Sequence, residues 1–464
     1  MGESGLEKSV EKMRANGVAD LAIRNFEHYY RLLEEGDAGV LPESELEPVE
    51  DVPDADDLPE GGDAARDALD RTVVLKLNGG LGTSMGMTRA KSLLEAKDGL
   101  TFLDVIARQA LHVRGRSGAR LPLVLMNSFY TRDDSLAALE RYPDLPADAP
   151  LDFVQGKVPK LGEDDLEPVS WPDDPDLEWA PPGHGDLYTS LVTSGMLEQL
   201  LDRGYEYAFV SNADNLGATL DERILGWFAR ERLPFLMEVA DRTEADRKGG
   251  HLARRRDGGG LVLREIAQTP DDDVDSFQDI GRHRFFNTNT LWVNLRALGA
   301  LMEERDGVLG LPMIVNRKTV DPGDSSSPRV IQLETAMGAA IDVFDGAAAL
   351  RVPRERFAPV KTTNDLLVVR SDTYVLTDDA RVVVAPERRL PALPLVELDS
   401  DHFKLLRDFE ARFPSGPPSL VECERLTVEG DVLFGADVSV RGSVTVEQRG
   451  HDQLRIDDGA TLGG

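Results

Sequence analysis

Residues 73–103 read VVLKLNGGLGTSMGMTRAKSLLEAKDGLTFL, and the remainder of the chain is organised around this stretch. Val73, Val74, Leu75 and Leu77 form an apolar run closed by Asn78 and glycines, the pattern of a short buried strand. Gly79, Gly80, Gly82 and Gly86 follow closely, and then Lys91, leading into a segment rich in helix formers. A strand feeding a glycine-rich loop and a basic residue is how an α/β protein wraps backbone N–H groups around phosphate oxygens. Two familiar loops do not fit. A dinucleotide fingerprint counted from Gly80 and Gly82 needs glycine where Met85 stands, and a P-loop needs glycine directly before Lys-Ser, where Ala90 stands.

Composition narrows the options. The 464 residues allow two or three domains with a large core. A formal net charge of −32 argues against a nucleic-acid partner, although local lysines and loop amides still serve a nucleotide at short range. The sequence shows no long apolar run and starts with a polar segment, so neither a membrane span nor a secretory signal is expected. The opening MGESGL also lacks Ser or Thr at the myristoylation position. A single cysteine, Cys423, excludes an internal disulfide and suits a reducing cytosol, so a cytoplasmic location is expected. Only 11 of the 52 basic residues are lysine, which makes a lysine inside a motif more informative.

Along the chain, residues 1 to about 42 carry apolar positions at helical spacing, from Leu6 and Val10 to Leu32 and Leu33. Residues 42–70 are acidic and punctuated by proline, which predicts an exposed connector. Strands are then expected at 121–126, 205–211, 235–240, 260–267 and 285–294, with a helix over 190–203. The segment 365–376 is expected to be a strand followed by a helix or turn. This alternation predicts a largely parallel sheet with its ligand beyond the carboxyl ends of the strands. A short helix is expected at 403–413. Beyond it, β-branched residues recur between glycines in LTVEGDVLFGADVSVRGSVTVEQRG, a pattern of stacked short coils, with a hairpin sheet as the alternative.

Five blocks carry a family likeness. Leu77–Gly80, Gly82–Gly86 and Lys91-Ser92 open it, and Pro181–Asp186 (PPGHGD), Asn212–Gly217 (NADNLG), Phe286–Asn294 (FNTNTLWVN) and Val360-Lys361 follow in order. Together they resemble the UTP–glucose-1-phosphate uridylyltransferases of the type common in eukaryotes, over roughly residues 70–464. The resemblance implies an α/β fold: a nucleotidyltransferase, Rossmann-like, mixed and mostly parallel sheet flanked by helices, with a C-terminal β-helix. The expected division is an N-terminal helical segment and connector over 1–69, a catalytic domain over 70–385 and a C-terminal domain over 386–464. The implied reaction makes UDP-glucose and pyrophosphate from UTP and glucose 1-phosphate, with Mg²⁺ as cofactor. In some members the β-helix mediates assembly, so a homo-oligomer through that domain is a possible consequence. The absence of a His-Pro-His block separates the chain from hexose-1-phosphate uridylyltransferases with a covalent histidine. Ser84 in the loop, where N-acetylglucosamine enzymes carry arginine, disfavours that substrate.

The chemistry suits the residues. The sugar phosphate is already ionised near neutral pH, so direct attack on the α-phosphorus needs positioning and charge neutralisation and no general base. By resemblance, Lys91 and Lys361 are the catalytic cations, and Asp214, delivered by a strand end, is the metal carboxylate. UTP is expected against Leu77, Asn78, Gly79, Gly80, Lys91, Gln155, Gly183, Asn212, Asp214 and Lys361. Glucose 1-phosphate is expected against Gly80, His184, Asn212, Glu265, Asn287 and Asn289. Gln155 stands where the family reads uracil, since a side-chain amide can accept from N3–H while donating to O4. The glycines beside His184 give it little shelter in a packed core. Asn287 and Asn289 lie two apart on an extended stretch and should share a face. Met87–Ala90 departs from the family's usual C-K-G-P, leaving Arg89 as the nearest replacement for the lost lysine.

Overall fold

Ten strands build one sheet, numbered here in chain order: β1 (Leu46–Pro48), β2 (Thr72–Asn78), β3 (Leu123–Asn127), β4 (Asp152–Val154), β5 (Tyr207–Asn212), β6 (Phe235–Asp241), β7 (His251–Arg255), β8 (Leu261–Arg264), β9 (Phe285–Asn294) and β10 (Ala348–Arg351). The computed structural model describes residues 4–36, 39–450 and 452–463, so the helical expectation at 1–3 and 37–38 falls outside the described residues. The spatial order is β1-β7-β9-β5-β2-β3-β4, with β6 against β9 and β10, and β8 against β7.

The half that carries the glycine loop is parallel, as expected: β5 with β2, β2 with β3 and β3 with β4. The other half is mostly antiparallel, with only β6 and β10 parallel there. β9 runs antiparallel to β5, β6 and β7, so the sheet is mixed and not largely parallel. An apolar run such as FFNTNTLWVN signals burial on both faces, which a central antiparallel strand shares with a parallel one. Side chains of β2 alternate between two cores. Val74 joins Phe209, Trp292 and the helix Phe102–Ser117 on one face. Val73 and Leu75 join Val210, Leu291 and the helix Asp186–Thr193 on the other.

Four local expectations are corrected. The 42–70 segment is no exposed connector: Leu46 and Ala55 are buried, β1 pairs with β7, and Gly62–Leu69 is a helix. Its acidic residues are partners for sheet arginines, with Glu43 beside Arg264 and Asp54 beside Arg351. The helix over 190–203 is two helices, broken at Gly195, whose φ of 72° is left-handed. After Lys361 the helix Thr363–Arg370 precedes the strand Tyr374–Leu376, the reverse of the expected order, because a Thr362–Asp365 capping box starts the helix at once. The 403–413 helix is also divided, into Ser400–Phe403 and Leu406–Arg412.

In the C-terminal part, Leu395–Leu398, Cys423–Glu429 and Gly442–Glu447 lie side by side in parallel. Val432–Phe434 pairs with Leu454–Ile456, and Ser439–Val440 with Thr461–Leu462, also in parallel, which excludes a hairpin sheet. No described helix is long and apolar enough to cross a membrane.

Candidate active site

The parallel register sets Leu77 of β2 beside Asn212 of β5, so the glycine loop and the Asn212–Asp214 turn leave the sheet at the same end. A cleft of about 310 Å³ opens there. It is lined by Leu77, Asn78, Gly79, Gly80, Lys91, Ser92, Met126, Gln155, Pro181, Gly183, His184, Asn212, Ala213, Asp214 and Glu334. Ten residues nominated from sequence therefore converge, brought together from positions far apart in the chain.

Lys91 Nζ donates to Asp214 Oδ2 at 2.7 Å. The other oxygen, Asp214 Oδ1, is buried without a hydrogen-bond partner, and so is the nearby hydroxyl of Ser92. A buried polar atom left unpaired costs free energy, so two in one cleft mark where a ligand or ion belongs. Among the described residues no group of three metal-ligating side chains exists; the unpartnered Asp214 Oδ1 is the carboxylate oxygen in this cleft that could ligate a hard cation.

His184 is half-buried, and its Nδ1 accepts from the Met337 N–H at 2.9 Å. Burial pushes the imidazole down to about 4, so the neutral ring carries its proton on Nε2 as a donor. The flanking glycines do more than expose it. Gly183 has φ 79°, and a Cβ there would lie 2.4 Å from the Thr335 carbonyl oxygen. Only glycine lets this turn lie so close to the Glu334–Thr335 backbone.

Other expectations are refined. A Cβ on Gly79 would come within 2.8 Å of the Gln155 amide, so this glycine makes room for Gln155, whereas Gly80 faces open space. The Asn78 amide donates to Asn127 Oδ1 and Ser135 Oγ, both at 2.7 Å, so its side chain braces the loop and its backbone faces the cleft. Arg89 does not replace the missing loop lysine; it pairs with Asp134 at 3.3 Å on the surface. The side-chain amides of Gln155 and Asn212 have no internal partner among the described residues.

Glu265, Asn287, Asn289 and Lys361 do not line this cleft. Two of them meet at Gly250: its carbonyl accepts from the Asn287 N–H at 3.0 Å, and a Cβ on it would lie 2.5 Å from the Glu265 carboxyl group. Burial raises the Glu265 carboxyl above its ordinary value, and the charge of Lys361 opposes that rise. The two asparagines do meet, but through a bulge rather than simple alternation. Asn289 sits at φ 55° where the β6–β9 register shifts, and Asn287 Nδ2 donates to Asn289 Oδ1 at 2.9 Å. The Val360 N–H donates to the Asp214 carbonyl at 3.1 Å, tying the Lys361 segment to the cleft. Asn215 reinforces this tie, with Oδ1 accepting from Ala358 N–H at 2.9 Å and Nδ2 donating to the Arg356 carbonyl at 3.1 Å.

Sequence reading passed over Ser92, Asn215, Glu334 and Asp186. Ser92, Asn215 and Asp186 stand inside quoted motifs, but nothing in one sequence distinguishes a bracing side chain from a contacting one.

A glycine loop, a lysine and a strand-end carboxylate gathered at one end of a mixed α/β sheet fit a nucleotidyltransferase type of site. More narrowly, the chain belongs to the UTP–glucose-1-phosphate uridylyltransferase family, whose model matches residues 23–441. Among its relatives, the UTP–glucose-1-phosphate uridylyltransferase of Solanum tuberosum is 43% identical over 92% of this chain and 85% of its own length. That of Hordeum vulgare is 44% identical over 87% of this chain and 83% of its own. A crystal structure of a Leishmania major UDP-glucose pyrophosphorylase variant in complex with UDP-glucose superposes with TM-score 0.93 at 48% identity, covering 100% of this chain and 98% of that one. The Trypanosoma brucei protein superposes with TM-score 0.92 at 48% identity, covering 99% and 98%.

Proposed function

We propose that this chain transfers the uridylyl group of UTP to glucose 1-phosphate, releasing pyrophosphate and forming UDP-glucose. The observation that carries the reading is the Lys91–Asp214 pair at 2.7 Å, with Asp214 Oδ1 buried and unpartnered at the mouth of the glycine loop. An oxygen of glucose 1-phosphate attacks the α-phosphorus of UTP, and pyrophosphate leaves in line without a covalent enzyme intermediate. Neutral His184 offers an Nε2–H to the sugar phosphate, and Lys91 holds the UTP phosphates. Lys361 meets the charge that gathers around the α-phosphorus in the transition state. Gln155 presents its free amide to uracil, while Glu265, Asn287 and Asn289 receive the glucose hydroxyls. Asp214 would hold Mg²⁺, which supplies neutralisation of phosphate charge when bound.

The parallel C-terminal strands support a short β-helix over residues 386–464, since they pair only with one another among the described residues. The boundary proposed near residue 70 is less independent, because β1 joins the catalytic sheet. A homo-oligomer through the C-terminal unit is tested by light scattering against the chain mass of 50.9 kDa; a monomer refutes it. A cytoplasmic site of action is tested by cell fractionation; recovery outside the cytosolic fraction refutes it. The catalytic reading is tested by pyrophosphate release with UTP, CTP and ATP crossed against several sugar 1-phosphates. UTP with glucose 1-phosphate and Mg²⁺ gives the highest kcat/KM; equal values with CTP or ATP refute the role of Gln155.

A further inference from the structure

Three acidic side chains among the described residues are almost wholly buried: Asp104 and Asp186, each 3% exposed, and Glu238, at 0%. Asp104 meets Arg141 at 3.2 Å and Glu238 meets Arg356 at 2.7 Å, the pairing that a buried carboxylate ordinarily needs. Asp186 meets no cation. Its Oδ2 accepts instead from the Gly156 N–H at 2.6 Å and from the Ser190 hydroxyl at 2.6 Å. Burial pushes this carboxyl up to about 6, so the charge it carries at neutral pH is held against its surroundings.

What the carboxylate holds is the peptide between Gln155 and Gly156. The preceding peptide is held too, because the Gln155 N–H donates to the Asn127 carbonyl at 2.8 Å. Gly156 allows the close approach: a Cβ there would lie 3.1 Å from Asp186 Oδ2. The Gln155 backbone is thus clamped on both sides while its side-chain amide, seated over Gly79, keeps its hydrogen-bonding groups free for the cleft.

We propose that Asp186 is a positioning residue for pyrimidine selection: by anchoring the Gly156 N–H it sets the direction in which Gln155 presents its amide to the base. This rests on the reading that Gln155 recognises uracil. Asp186 also starts the helix Asp186–Thr193, where a carboxylate favours the helix N-terminus. That bland role would leave the choice of nucleotide untouched, and the two are therefore separable.

The experiment measures kcat and KM for UTP, CTP and glucose 1-phosphate in the wild type, Asp186→Asn, Asp186→Ala, Gln155→Ala and the double variant Gln155→Ala/Asp186→Ala. The amide of Asp186→Asn still accepts from Gly156 but without the charge, so the UTP-over-CTP ratio of kcat/KM falls by about threefold to tenfold. Asp186→Ala removes the charged and closer of the two acceptors of the Gly156 N–H, leaving Ser190 Oγ at 3.1 Å, and lowers the ratio by about tenfold to a hundredfold, the range for one charge-assisted hydrogen bond. The KM for glucose 1-phosphate stays within about threefold in both, and in the Gln155→Ala background Asp186→Ala changes the ratio no further. A wild-type ratio in the isosteric Asp186→Asn overturns the proposal, whether or not Asp186→Ala folds. An undiminished effect of Asp186→Ala in the Gln155→Ala background overturns it as well. If Gln155→Ala itself keeps the wild-type ratio, the uracil reading fails first; if it lowers the ratio while Asp186→Asn does not, only the positioning role fails.

Discussion

Replacing Lys361 with alanine separates a catalytic cation from a structural one. The obvious structural partner is unavailable: the Asp365 carboxylate accepts the backbone N–H groups of Lys361 and Thr362, both at 2.8 Å, and so caps the helix that follows. The ammonium has no ion pair among the described residues and is exposed, so its loss changes stability by no more than about 0.5 kcal/mol. Its proposed electrostatic partner is transient charge at the α-phosphorus. Losing a preorganised interaction of that kind costs about 3–4 kcal/mol, or about 10²–10³ in rate. Because the interaction belongs mainly to the transition state, kcat and kcat/KM fall together and KM changes little. Lys91→Ala is the control. It breaks the 2.7 Å pair with Asp214, whose two side chains are 16% and 22% exposed, and so costs about 1 kcal/mol of stability. It also raises KM for UTP, because Lys91 lies beside the loop that holds the ground state. Steady-state kinetics and urea denaturation of the two variants side by side give the answer. A Lys361→Ala enzyme with wild-type kcat, or one destabilised as much as Lys91→Ala, refutes the reasoning.

Asp214→Ala is expected to abolish Mg²⁺-dependent turnover while circular dichroism stays native, since the carboxylate lies at a strand end outside the apolar core; near-normal rates would remove the metal assignment. Glu238→Gln strands the Arg356 guanidinium, which donates to both Glu238 oxygens at 2.7 Å, and is expected to destabilise by about 3–5 kcal/mol in urea unfolding; a loss below about 1 kcal/mol would show that the pair is not needed. Lys76, on the same strand as the glycine loop, is pushed down from 10.5 to about 7, first by burial and then by Arg356. Between those values the unfolded chain binds a proton that the native chain does not, so this group makes stability rise with pH from about 7 towards 10.5. Lys76→Met is expected to lose that component when urea stabilities at pH 7 and 9 are compared with the wild type; an identical pH dependence contradicts it.

The glycine loop and the parallel strands were legible because each has a local signature, whereas Gln155, Gly183, His184 and Asn212 were legible only through the family resemblance. Val73–Leu77 is an apolar run broken only by Lys76, Asn212–Asp214 follows another apolar run, and the register of β2 with β5 does the rest. The direction of β9 was not legible, because a strand covered on both faces reads alike in either orientation. The buried role of residues 42–70 was hidden for a related reason. Acidic residues such as Glu43 and Asp54 look like a solvated linker until the distant arginines that they meet, Arg264 and Arg351, are known. The same limit applies inside the site. Gly79 reads as room for a nucleotide, whereas the neighbour it admits is Gln155, 76 positions further on and in contact only once β4 pairs with β3.

The proposed reaction is a direct displacement in a cleft lined by Lys91, the glycine loop and the free carboxylate oxygen of Asp214, with no covalent enzyme intermediate. The stereochemical course at the α-phosphorus, followed with one diastereomer of UTP carrying sulfur on that phosphate, tests it most directly. A single in-line attack by glucose 1-phosphate predicts inversion of configuration in the UDP-glucose analogue; net retention would reveal two displacements through an enzyme-bound intermediate and contradict the account.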